Sequence, residues 1–251
     1  MSPDDQFEAR VLGGPTVLIE YGGLRLLTDP TFDDPQDYEV GPDRYLTKTA
    51  ASAMAPSALG SLDAVLLSHD QHPDNLDRAG RALLPTVPAV FTTESGARRL
   101  GGNAVGMAPW QEQRLERPGG GTVTLTAVPA RHGPAGCEPV TGDVIGFVLS
   151  APDLPTVYIS GDNASLDLVQ EIATRFPSID FAVLFAGAVR TPLLDGALLT
   201  LDGEQAAQAA GILGARRVIP AHVDSWAHFT EGREQFDSAF AKAGLASLLR
   251  P

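Results

Sequence analysis

Leu66-Leu67-Ser68-His69-Asp70-Gln71-His72-Pro73-Asp74-Asn75-Leu76-Asp77 sets two histidines and three aspartates directly behind a short apolar run. Residues 64–67 read as a buried strand, and residues 74–84 can continue as a helix, with apolar positions 76, 79 and 83 on one face before Pro85. The cluster therefore falls on a strand-to-helix turn, where α/β folds place their chemistry. The arrangement recurs along the chain. Val123, Leu125 and Ala127 alternate with threonines, a half-buried strand pattern that runs into Ala130-Arg131-His132-Gly133. Residues 156–160 end in Gly161-Asp162-Asn163, and residues 217–220 deliver Ala221-His222.

The remaining elements fit an alternation of strands and helices. Residues 16–21 and 24–29 flank Gly22-Gly23, the turn of a hairpin that opens the chain. Residues 34–62, rich in Pro, Asp, Ala and Ser, read as a surface excursion with a short helix near 49–55. Further strands are expected at 89–93, 144–150 and 181–186, and helices at 94–100, 166–176, 203–213 and 231–243. Ser165 or Asn163 can cap the second of these helices and Asp202 the third, with Gln205 placed for a capping box. The fold class is α/β, and residues 1–251 are expected to form a single domain.

Composition narrows the function. A formal net charge of −13 argues against nucleic acid as a partner, because that affinity rests on Lys and Arg displacing counterions. No apolar run approaches the roughly 20 residues that span a bilayer, and Met1-Ser2-Pro3-Asp4-Asp5 has no basic-then-apolar leader, so no membrane contact and a cytoplasmic location are expected. The single cysteine, Cys137, excludes an internal disulfide and a cysteine-rich zinc site. Any metal must be held by histidine and carboxylate. His69, His72, Asp74, His132, Asp162 and His222 supply enough such ligands for one hydrolytic site or two, since three protein ligands and a place for water suffice.

This ordered set resembles the metallo-β-lactamase superfamily, whose signature is His-x-His-x-Asp-His followed by a distant His, an Asp and a last His. His132 in Pro-Ala-Arg-His-Gly, Asp162 in Ser-Gly-Asp-Asn and His222 in Pro-Ala-His match the later elements. The opening Thr-Val-Leu-Ile-Glu-Tyr-Gly-Gly with Leu-Thr-Asp-Pro is similar to the branch of ascorbate-6-phosphate lactonase-like hydrolases and the phospholipase D acting on N-acylphosphatidylethanolamine. The first motif departs from the pattern. Anchored on its right, His72-Pro73-Asp74-Asn75 places Asn75 where the family has a histidine; anchored on its left, Gln71 takes the place of the second histidine. We read His69 and His72 as both pointing inward with the turn bulging between them.

The resemblance implies a four-layer αββα sandwich. It implies that His69, His72 and His132 bind a first metal, that Asp162 bridges, and that Asp74, His222 and position 75 hold a second. Asn75 is a poor ligand for a borderline metal, so one ion is expected rather than two: Zn2+, with Mn2+ or Fe2+ as alternatives. Asp74 and Asp162 are the catalytic candidates, Asp74 as the group that orients water or serves as base. Asp29, Asp70 and Asp77 are candidates to orient the ligating histidines. His228, between Ala227 and Phe229, reads as a packed loop residue, and Asp29 and Arg190 are borderline candidates to face the site. The expected activity is metal-dependent hydrolysis of an ester, lactone or phosphodiester in a small metabolite. The competing reading, motivated by Gln71 and Asn75, is a catalytically degenerate small-molecule binding or regulatory protein. The sequence leaves the oligomeric state open, a homo-oligomer included.

Overall fold

The computed structural model describes residues 6–249. In order, the chain forms Phe7–Gly13 (β1), Thr16–Tyr21 (β2), Leu24–Thr28 (β3), the hairpin Gln36–Gly41 (β4) and Arg44–Lys48 (β5), Ala64–Leu66 (β6), Arg78–Leu83 (α1), Val90–Thr93 (β7), Glu94–Leu100 (α2) and Ala104–Met107 (β8). It continues through Glu112–Glu116 (β9), Thr122–Ala130 (β10), Glu138–Thr141 (α3), Val144–Ser150 (β11), Val157–Ile159 (β12), Leu166–Arg175 (α4), Phe181–Phe185 (β13), Gly203–Leu213 (α5), Arg217–Ala221 (β14) and Arg233–Lys242 (α6).

Two six-stranded sheets, ordered β1-β2-β3-β6-β7-β8 and β14-β13-β12-β11-β10-β9, pack face to face. Val17, Ile19 and Leu26 from the first meet Leu125, Phe147 and Val183 from the second in one buried cluster. The outer face of the second sheet, with Val148, Tyr158 and Ala182, is covered by Val169 and Ile172 of α4, Ala206 of α5 and Phe236 of α6. The outer face of the first sheet, with Leu18, Leu27 and Val65, packs on Leu76, Leu84 and the flanks of α1 and α2. The result is the expected αββα sandwich. No helix of the described residues is long and apolar enough to cross a membrane.

Strand direction places the site. β10 pairs antiparallel with β11 and β11 antiparallel with β12, so β10 and β12 run the same way, and β13 and β14 continue parallel to β12. In the other sheet β3, β6 and β7 are mutually parallel. The C-terminal ends of β3 and β6 in one sheet, and of β10, β12 and β14 in the other, thus gather at one rim. Two cross-links hold that rim together: Asp29 N donates to Leu66 O at 3.2 Å, and Ile145 N to Ser68 O at 3.2 Å.

Several local expectations change. Among the described residues β1 precedes the β2–β3 hairpin, and β8 and β9 complete the sheet edges. Residues 34–62 contain the β4–β5 hairpin; 49–55 form no helix, and a short 3-10 turn follows at Pro56–Ala58. Helix α1 starts only at Arg78, because Asp77 caps it by accepting from Gly80 N at 2.8 Å. Residues before it turn irregularly, with Asn75 N and Leu76 N both donating to His72 O. Asp202 caps α5 as read, accepting from Gln205 N, but Gln205 Oε1 finds no partner, so the reciprocal half of the capping box does not form.

Candidate metal centre

His69 lies three residues past β6, His132 two past β10, Asp162 three past β12 and His222 one past β14. The turn at Gly161 requires glycine: its φ is +57°, and a Cβ there would sit 2.7 Å from Ile145 O and 2.9 Å from Ser68 Cβ. His222 itself adopts φ +59°, a left-handed conformation rare outside glycine, held by its N–H donating to Gly14 O at 2.7 Å. The structure brings His69, His72, His132 and Asp162 into one group and Asp74, Asp162 and His222 into another, each with its donor atoms within 4.8 Å of one another. All six sequence-derived candidates are therefore together, and Asp162 belongs to both groups.

Hydrogen bonds on the far side of the rings set which nitrogen faces inward. Ser68 Oγ donates to Asp29 Oδ1 at 2.7 Å, so its 3.0 Å contact with His69 Nδ1 is one in which the imidazole N–H donates. His132 Nδ1 likewise donates to Leu199 O at 2.8 Å. Both rings are left with Nε2 lone pairs turned into the site, the arrangement a metal requires. His69 Nε2 meets His72 Nδ1 at 2.9 Å, and His132 Nε2 lies 3.6 Å from Asp162 Oδ2. Burial, reinforced by His72, holds His69 well below the ordinary histidine pKa, and burial brings His132 down to about 4. Both are neutral, as ligands must be.

At the other end, His222 Nε2 lies 3.3 Å from Asp74 Oδ2 and 3.7 Å from Asp162 Oδ1, yet neither of its ring nitrogens makes a hydrogen bond. The ring is held by packing instead, stacked on Phe185 and tilted against Phe229 with a centroid distance of 4.1 Å. Burial alone would raise the Asp74 carboxyl, but His228 and His222 outweigh it and hold Asp74 well below the usual carboxylate range. Asp162 is lowered in the same way, burial being outweighed by His222, His132 and His69. His222 is raised, because Asp162 and Asp74 outweigh its burial.

The flanking candidates divide. Asp29 acts through Ser68, accepting from both its N–H and its hydroxyl, and so steadies His69 one step removed. Asp70 turns away to Arg99 in a bidentate pair. Asp77 is committed to the α1 cap and to a fully buried ion pair with Lys48 Nζ at 3.0 Å. Gln71 is exposed and lies against Gly142. Asn75 is buried and donates to Asp162 Oδ1 at 3.2 Å. Cys137 is buried, accepting from Thr141 Oγ1. His228 corrects the sequence reading: its Nε2 lies 3.0 Å from Asp74 Oδ2. Ser68, Lys48 and Phe229 were also missed, since nothing in their local sequence marks them.

A cleft of about 590 Å³ opens over the centre, with His72, Asp74, His132 and His228 at its floor. The β4–β5 hairpin supplies Tyr38, Arg44 and Leu46 to one wall, and Val189 and Arg190 lie on another. Val40, Val140 and Leu193, among the few exposed large apolar side chains, line the mouth. Against this site, a family model described as the Beta-lactamase superfamily domain matches residues 24–223. The chain belongs to the metallo-β-lactamase superfamily. Within the superfamily it is 24% identical over 216 residues to a metal-dependent hydrolase of Pyrococcus furiosus, covering 83% of this chain and 88% of that one. Its fold is similar to that of the isothiocyanate hydrolase from Delia radicum gut bacteria, with a TM-score of 0.80, 21% identity and coverage of 96% and 94%. A metallo hydrolase from Ignicoccus hospitalis is similar over 97% of this chain and 94% of that one, with a TM-score of 0.71 and 20% identity.

Proposed function

We propose that the protein is a metal-dependent hydrolase that cleaves an ester, lactone or phosphodiester bond of a small metabolite bound in the cleft. The observation that carries this reading is a set of buried atoms without hydrogen-bond partners, Asp74 Oδ1, Asp162 Oδ2 and His222 Nε2, on three residues that converge on one centre. Leaving such atoms unpaired costs about 1–3 kcal/mol each, a cost that a bound cation and the water beside it would remove. A mixed nitrogen and oxygen set suits zinc, with manganese or iron(II) as alternatives. His69, His72 and His132 would hold the ion with Asp162. A divalent cation there supplies Lewis acidity, lowering the pKa of water in contact with it from about 15.7 towards 7 and polarising the bond under attack.

The chain's own groups then do the positioning. Asp74 Oδ2 accepts from His228 and lies 3.3 Å from His222 Nε2, while its Oδ1, without a protein partner, would hold the attacking water and take its proton. Arg44 and Arg190, exposed cations at the mouth of a strongly acidic protein, suit an anionic substrate group, and the apolar side chains between them suit a hydrophobic portion. The test is elemental analysis of the purified protein followed by a panel of lactones, carboxylesters and phosphodiesters, with the His72→Ala variant as control. Metal-dependent turnover that is lost in the variant is expected. Protein that takes up no zinc, manganese or iron overturns the proposal, and loaded protein inert to the whole panel would favour the binding reading.

A further inference from the structure

We propose that His228 is a positioning residue for the hydrolytic step: by donating from Nε2 to Asp74 Oδ2 it fixes which oxygen of that carboxylate is presented to the attacking water. The inference rests on the hydrolase reading and adds to it the group that aims the base. His228 Nε2 lies 3.0 Å from Asp74 Oδ2, the one hydrogen bond made to either oxygen of Asp74 among the described residues. Oδ1 is buried with no partner, and His222 Nε2, 3.3 Å from Oδ2, makes no hydrogen bond. His228 also stands outside the group of Asp74, Asp162 and His222, whose donor atoms converge on one centre. It acts on the carboxylate, not beside it.

The two oxygens of an aspartate are chemically alike, and the torsion that exchanges them is broad and nearly two-fold. Packing alone therefore sets their places weakly. A directional N–H on Oδ2 holds that torsion and leaves Oδ1 for water. The donor is itself held. Ser225 at φ +69° turns the chain back after β14, and the His228 ring makes edge contacts with Trp226 and Phe229 at centroid distances of 6.0 and 4.7 Å. Trp226 packs in turn on Tyr38 of β4. Both Asp74 and His228 line the cleft, so the pair lies where substrate binds.

Two variants separate the hydrogen bond from the packing. His228→Phe keeps an aromatic ring beside Trp226 and Phe229 and removes the donor; His228→Gln keeps a donor and gives up the ring. In full-length protein loaded with zinc, kcat for a substrate that the wild type turns over should fall about 100-fold in His228→Phe, as for a catalytic group displaced by a fraction of an ångström. KM and bound zinc should stay within about threefold, and His228→Gln should regain about tenfold of the lost kcat. A packing role predicts the reverse order, and His228→Gln below His228→Phe overturns the inference, as does kcat in His228→Phe within about threefold of wild type. Imidazole 15N spectra of the wild type give a second readout that needs no turnover: His228 Nε2 is expected to keep its proton with and without zinc, and a metal-bound shift or a proton on Nδ1 alone refutes the bond. Should neither variant fold, the spectra still decide. Wild type that binds zinc yet hydrolyses nothing in the panel removes the hydrolase reading and this role together, whereas an active enzyme indifferent to His228→Phe removes this role alone.

Discussion

Replacing Lys48 with methionine keeps the length of the side chain and removes its charge from a place where water cannot substitute. The ammonium is 1% exposed and the Asp77 carboxylate 0%. Breaking a buried pair by deleting one partner costs about 3–5 kcal/mol, since the surviving charge stays desolvated. Here Asp77 keeps two backbone donors, Gly80 N at 2.8 Å and Asp33 N at 2.6 Å, which places the cost at the lower end, about 3 kcal/mol. For a chain of this size each kcal/mol moves the melting temperature by about 2–4 °C, so Lys48→Met should melt about 6–12 °C early. Urea unfolding of Lys48→Met, Asp77→Asn and the double variant forms a cycle that isolates the pair, with an expected coupling of about 2 kcal/mol. Additive effects, or a melting point within 2 °C of wild type, on the order of the noise for a surface change, would refute the reasoning. The consequence reaches the cleft as well. Lys48 ends β5 beside Trp226, and the same hairpin carries Tyr38, which packs on Trp226 and bonds Asp33.

Removing the Ser68 hydroxyl should loosen the first metal site: Ser68→Ala frees His69 Nδ1 and takes one donor from Asp29, and zinc affinity measured by chelator competition should fall about 10- to 100-fold; affinity within about threefold of wild type would contradict the relay. Metal-free protein should lose stability as the pH falls from 6.5 towards 4. His132 titrates at about 4 when folded and near 6.5 when unfolded, so below 6.5 the unfolded chain binds the extra proton. That contributes a loss of about 3 kcal/mol, with His69 acting in the same sense, the raised Asp29 offsetting part of it, and the raised His222 opposing it above pH 6.5. Urea midpoints of chelator-treated protein at pH 7.5 and about 5 check the sign, and a midpoint that rises on acidification would reject it.

The strand ends that carry His132, Asp162 and His222 were readable because each follows a run of apolar residues buried in the sandwich, and a polar residue ending such a run stands out against it. The first two helices over the second sheet were legible for a related reason: Ser165 and Asp202 announce α4 and α5 by chemistry confined to three residues. The β4–β5 hairpin was not, because Gln36–Gly41 buries only Tyr38 and its stability comes from distant Trp226. The late start of α1 has the same origin, since Asp77 becomes a cap only once Lys48 and Asp33 N hold its other oxygen. His228 was illegible because its place over Asp74 depends on a left-handed residue three positions earlier. In each case the decisive partner lies far away in sequence.

The rim at which both sheets end carries a thermodynamic consequence. Donors from β6, β10, β12 and β14 meet only after the two sheets have closed on each other, so a cation has affinity for the closed sandwich and little for any fragment of it. Binding and global folding are then linked equilibria, and free metal at 100 times its dissociation constant would deepen the folded state by about 2.7 kcal/mol. Metal supply would govern how much intact protein persists, before any substrate arrives.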